Sequence, residues 1–214
     1  MPPERPRTRA HAGLTTARTG LTGPDPGANM AGMLFRTLTL CLLLPGAALA
    51  ACPAPPDRTD LRASILDNLS RAESFAAGRA AIDAAWRFWR TAPDPTAQEL
   101  LDAGLQAQRY GDYLRAEETL ARLTEYCPGF AEGWNQLAFT YFLQDRFAPA
   151  LAALDRAIAL EPAHFGALSG KGLTYLRMDR PALAQIWLRK AVEVNPWLDE
   201  RVLLDQAPAT GSEL

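Results

Sequence analysis

The sequence predicts an all-α protein built as a stack of helix pairs, and three observations carry that prediction. The stretches 97–130, 131–164 and 165–198 place the same residue types at the same offsets, 34 positions apart. Each runs to a proline that closes its second helix: Pro128, Pro162 and Pro196. Small residues recur at places eight and twenty of each stretch, where two helices of one unit would cross. A period of this length marks helix–turn–helix units, which bury their apolar faces only by stacking on one another.

Within a unit, place four carries Leu100, Trp134 and Leu168, and place eleven carries Ala107, Tyr141 and Tyr175. Together with place seven (Ala103, Leu137) and place eight (Gly104, Ala138, Gly172) they fall on one helical stripe. The second helix contributes Ala116, Ala150 and Ala184 at place twenty, and Leu120, Leu154 and Leu188 at place twenty-four. Place twenty-seven adds Leu123, Ala157 and Ala191. A branched side chain at the crossing would push the axes apart, at about 1–3 kcal/mol. Gly111, Asp145 and Asp179 stand at place fifteen, where the first helix must stop. Asp112 and Asp179 are expected to be N-caps, accepting free amide hydrogens of the next turn. Pro149 and Pro181 fall in the first turn of the second helices, where a missing N–H does little harm.

The run Trp134-x-x-Leu137-Ala138-x-x-Tyr141, followed by Ala150, Leu154, Ala157 and Pro162, resembles the tetratricopeptide repeat family. The third unit repeats it through Leu168, Gly172, Tyr175, Ala184, Leu188, Ala191 and Pro196. The first unit departs from it, with Ala103 and Ala107 where larger residues are usual. The resemblance implies a tetratricopeptide-repeat α-solenoid of three full repeats. It also implies a concave surface lined by the first helix of each unit, chiefly at places two, five, nine, twelve and thirteen. In this chain those places hold Gln98, Leu101, Leu105, Gln108 and Arg109, then Glu132, Asn135, Phe139, Phe142 and Leu143, then Gly166, Ser169, Leu173, Leu176 and Arg177. The implied groove is apolar at its centre, with Arg109 and Arg177 near its rims, and suits a peptide or amphipathic helix with hydrophobic anchors. The family's clamp for a C-terminal carboxylate uses Lys and Asn; Asn135 fits one such place, the lysines are missing, and that specificity is not carried over.

Solenoid ends need covers. At the N-terminal side, Asp57–Thr91 reads as a degenerate helix pair with a break near Ser70–Phe75 and a stripe of Ala72, Ile82, Trp86 and Trp89. Both tryptophans are expected as core residues packed on the first full unit, in preference to a ligand-stacking pair. At the other end, Trp197–Gln206 reads as one closing helix through Trp197, Leu198, Val202, Leu203 and Leu204, with a mobile tail over 207–214.

Residues 1–29 are rich in Arg, Thr, Gly and Pro and read as a disordered leader, or as the product of a misplaced start codon, with the true start at Met30 or Met33. Residues 30–50 read as an export signal: Arg36, the apolar run Leu38–Leu44, the break Pro45-Gly46 and the small residues Ala48-Leu49-Ala50. The whole chain has 22 basic and 24 acidic side chains; setting aside Arg5, Arg7, Arg9, Arg18, Arg36, Glu4 and Asp25 leaves a net charge of about −5 from Ala51 onward. With no basic cluster, nucleic acid is excluded as a partner.

Export leaves Cys52 and Cys127, an even pair that suggests a disulfide in an oxidising compartment. Leu49-Ala50-Ala51-Cys52 also resembles a bacterial lipobox, in which the cysteine is lipidated and contact with a membrane follows. Lipidation consumes the thiol, so Cys52 has one fate or the other; two free buried cysteines are the third reading.

No phosphate loop, nucleophile elbow or CxxC is present, and His164 is the one histidine after Ala51. It reads as a surface or capping residue, and no metal site, cofactor or enzyme activity is expected. The function predicted is a non-enzymatic adaptor or scaffold of the bacterial envelope, binding a peptide or helix of another envelope protein. A lipid-anchored structural lipoprotein is the alternative.

Overall fold

The computed structural model describes residues 52–54 and 56–206, so the expectations for the leader, the export signal and the tail lie outside the described residues. Eight α-helices and one terminal 3-10 helix follow in order among these: α1 (Thr59–Ser70), α2 (Phe75–Trp89), α3 (Pro95–Arg109), α4 (Tyr113–Tyr126), α5 (Ala131–Leu143), α6 (Phe147–Leu160), α7 (Phe165–Arg177), α8 (Pro181–Val194) and the 3-10 helix Asp199–Gln206. No strand occurs among the described residues.

Helices α3–α8 form three pairs whose register follows the 34-residue period. The crossing residues Ala116, Ala150 and Ala184 are fully buried, as are Leu120 and Leu188, while Leu154 is nearly so. At place eight the fit is close: a Cβ on Gly172 would lie 2.7 Å from Leu188 Cγ and 3.2 Å from the Ala184 carbonyl oxygen. Ala103, assigned to the apolar stripe, is exposed, because α3 is the first helix of the array and nothing among the described residues covers that flank.

Place fifteen has one conformation in all three units. Gly111, Asp145 and Asp179 adopt left-handed φ of 75°, 57° and 56°. The next amide then reaches back across the helix end: Asp112 N–H donates to Ala107 O at 3.0 Å, Arg146 N–H to Tyr141 O at 2.9 Å, and Arg180 N–H to Tyr175 O at 2.9 Å. This is the Schellman closure, which glycine, asparagine and aspartate tolerate best. Asp112 does cap α4, accepting from Arg115 N–H at 3.1 Å. Asp179 does not cap α8: it ends α7, and Arg180 occupies the cap position without a side-chain hydrogen bond.

The N-terminal helices form a hairpin broken at Arg71–Ser74, but they do not pack on the first unit as expected. Gly78, Ala81, Ala85 and Trp89 give α2 a buried stripe. Its core partners are Phe165, Leu168, Ala191 and Leu198 of the third unit, with Trp197 alongside. Small residues permit the approach: a Cβ on Gly78 would collide with the Trp197 indole, and one on Gly166 with the Trp86 ring. Trp89 lies flat on His164 at 4.1 Å between ring centroids and edge-on to Phe165 at 4.9 Å. Arg62 of α1 holds Glu161 through two nitrogens at 2.5–2.9 Å. Cys52 lies beside Cys127, with Cα atoms 5.1 Å apart. The hairpin and the residues before it thus touch the junctions after α4, α6 and α8 in turn, along one edge of the array.

At the C-terminal end, Leu198 is buried as expected, whereas the closing helix is a 3-10 helix that begins at Asp199 and leaves Val202 exposed. Gln185 Nε2 donates to Leu203 O at 3.0 Å and fixes it on α8.

Candidate functional site

Helices α3, α5 and α7 present their middle turns to a groove of about 470 Å³. Leu105, Phe139, Phe142 and Leu173 supply its apolar surface, and Gln108, Asn135, Gln136, Ser169 and Thr174 its polar floor. Phe139 is 47% exposed. Its ring stacks on Phe142 at 6.4 Å between centroids, so two large apolar rings stand side by side with one only half covered. Gln108 is anchored by donating to Thr140 Oγ1 at 2.8 Å and to Gln136 O at 3.0 Å. Arg109 lines the groove from the C-terminal end of α3. Glu200 lines it from the terminal 3-10 helix, with Ser169 Oγ 3.4 Å from its Oε1.

Of the residues expected to form the concave face, Leu105, Gln108, Arg109, Asn135, Phe139, Phe142, Ser169 and Leu173 do meet there. Leu101 does not: it is fully buried in the core of the first unit, against Leu120, Leu123 and Phe130. Gln98 is turned to the loop before α3, where it accepts from Ala92 N–H at 3.0 Å and donates to Asp102 at 3.1 Å. Leu176 is half-buried away from the groove lining. Arg177 bonds Asp145 and lies over Phe142 and Phe147, 5.4 and 5.7 Å from the ring centroids, so it braces the rim from behind.

At place two of the second unit the side chain serves packing instead of ligand contact. Glu132 is buried, accepting from Gln136 Nε2 at 2.7 Å, Asn135 Nδ2 at 3.0 Å and His164 Nε2 at 2.9 Å. His164 Nδ1 accepts the Ala167 N–H at 3.2 Å and so caps α7, which leaves the ring proton on Nε2 for Glu132. Burial pushes the Glu132 carboxyl upward, but the hydrogen bonds from His164, Gln136 and Asn135 outweigh it and hold the group below its ordinary value. Gly166, at the same place of the third unit, does line the groove, beside the Trp86 ring.

Trp86, weighed as a ligand-stacking residue and assigned to the core, and Arg90, which the sequence does not single out, line the groove from the end of α2, a helix outside the repeats. Their position depends on how the hairpin docks, which the local sequence does not carry. Among the described residues no group of three or more His, Cys, Asp or Glu side chains is placed to hold a metal ion. No helix among them is long and apolar enough to cross a membrane.

Two family models, both described as tetratricopeptide repeat, match residues 131–164 and 166–196. No curated protein matches the chain. Among solved structures, the first tetratricopeptide-repeat domain of Spaghetti (RPAP3), bound to the HSP90 peptide SRMEEVD, is similar at 22% identity and a TM-score of 0.50, over 51% of this chain and 88% of that one. The human RPAP3 first domain, solved by NMR, is 22% identical with a TM-score of 0.50, over 51% and 87%. The Arabidopsis OM64 tetratricopeptide-repeat domain is 14% identical with a TM-score of 0.50, over 51% and 91%. These likenesses concern the fold. The described residues fold as an α-solenoid like those of tetratricopeptide-repeat structures, with a helical hairpin folded along one edge.

Proposed function

We propose that this protein is a non-enzymatic adaptor of the bacterial envelope that holds a peptide or helix of another envelope protein in its concave groove. The observation that carries the proposal is the paired rings of Phe139 and Phe142, with Phe139 47% exposed in a groove of about 470 Å³. Large rings left open in a concavity, ringed by polar groups, fit an apolar anchor of a partner. The peptide carried by the similar Spaghetti (RPAP3) domain supports the same use of the fold. Phe139→Asp and Phe142→Asp should abolish capture of the partner with helicity unchanged. Photocrosslinkers at Phe139 and Arg177 in the native envelope should identify it. Retained capture in both variants would sink the groove assignment.

Export rests on the segment 30–50, and the proximity of Cys52 and Cys127, 5.1 Å between Cα atoms, supports a disulfide over lipidation. Mass spectrometry of the mature N-terminus decides between them. An unmodified start at Ala51 with both thiols blocked fits the disulfide; a lipidated Cys52 would establish the membrane-anchored lipoprotein instead.

A further inference from the structure

Arg90 follows the last residue of α2, and its guanidinium has a neighbour on two sides. It lies over the Trp86 ring at 4.9 Å from the centroid, and its Nε is 3.5 Å from Glu132 Oε1. Glu132 is itself immobile, buried and accepting from three donors. The described hydrogen bonds leave both Nη groups of Arg90 without a partner, and the side chain remains 48% exposed on the groove wall. A guanidinium with a carboxylate near its Nε and an indole beneath it keeps its outer edge free for a second carboxylate. Arg109 also lines the groove, and the one carboxylate of the lining, Glu200, stands against Ser169. Glu132 offsets the Arg90 charge from the Nε side, so what the groove offers an acid is the pair of free Nη donors, with Arg109 the second cation of the lining.

We infer that Arg90 is the carboxylate receptor of the groove, and that the occupant is a peptide segment carrying an Asp or Glu side chain next to its hydrophobic anchor. This rests on the peptide-groove reading above and adds a selectivity that comes from outside the repeats. Glu132 acts as a positioning residue for Arg90.

The test is selection of a random dodecapeptide library, displayed with free C-termini, on the full chain and on Arg90→Gln, Arg90→Lys, Arg109→Gln and Phe139→Asp, each checked for helicity. The expected result is enrichment of apolar anchors with an internal Asp or Glu on the native chain. Arg90→Gln should keep the anchors and lose the acid, and Arg90→Lys should regain it in part. In a selected peptide, Glu→Gln should weaken binding about tenfold on the native chain and less than about twofold on Arg90→Gln. The inference is overturned if no acid is enriched, if Arg109→Gln alone removes it, or if only the terminal carboxylate is read. No enrichment above the Phe139→Asp control would instead overturn the groove itself.

Discussion

The three repeats and the N-terminal hairpin are both helix pairs, yet they are held by different means. In the array each helix meets its neighbour in sequence, through alanine and glycine at the crossing and leucine around it. The hairpin is held by partners far along the chain: Gly78 against Trp197, Arg62 on Glu161, Trp89 on His164. Local registration makes the array a property of its period. Distant registration makes the hairpin a property of the finished fold, and the hairpin completes the groove wall.

The largest expected effect separates the two. Trp89→Ala should cost about 3–5 kcal/mol, the usual range for deleting a buried aromatic ring, and should release the hairpin first. Hydrogen exchange should then show protection lost over 59–89 and kept over α3–α8; loss throughout would mean that the array cannot stand alone. Cys52→Ser should cost roughly 2–4 kcal/mol in urea unfolding, since a bridge to Cys127 spans 75 positions. An unchanged midpoint would argue that the two thiols are not joined. Ala150→Leu should cost about 1–3 kcal/mol by overpacking the fully buried crossing of α5 and α6. A wild-type melting temperature there would contradict the registration of the pair. Asp112→Ala should remove the cap of α4 for about 1 kcal/mol, measurable by urea titration.

The last effect is read as a dependence on pH. Because the Glu132 carboxyl is held below its ordinary value in the folded protein, its contribution is present above the unfolded value. It is lost as pH falls through the folded one. Stability measured from pH 6 downward should therefore decline more steeply for the native chain than for Glu132→Gln. Parallel curves would remove Glu132 from the account.

The array was legible because its contacts recur at fixed offsets, so Ala116, Ala150 and Ala184 announce the same crossing three times. Much of the groove followed from the same offsets. Leu101 failed because the first unit uses place five to fill its core, and Glu132 failed because its carboxyl is taken up by His164, Gln136 and Asn135. Asp179 showed a turn at the right position but the wrong role: a left-handed backbone ends α7 there, and only coordinates distinguish that from a cap. The docking of α2 was hidden for a plainer reason. Its fit is a match between α2 and residues about 80 to 120 positions away, such as Trp86 with Gly166, which no window on the sequence contains.

A repeat solenoid on its own bends like a spring, with each junction giving a little. Here the hairpin bridges the junctions after α4, α6 and α8, so that edge acts as a stay of fixed length. The opposite rim, where α3, α5 and α7 end at Arg109, Leu143 and Arg177, is tied across units by surface ion pairs such as Arg177 on Asp145 and keeps the greater compliance. Entry of a bulky guest would then swing that rim outward about the stayed edge, as a book opens from its spine, without changing the pitch of the stack.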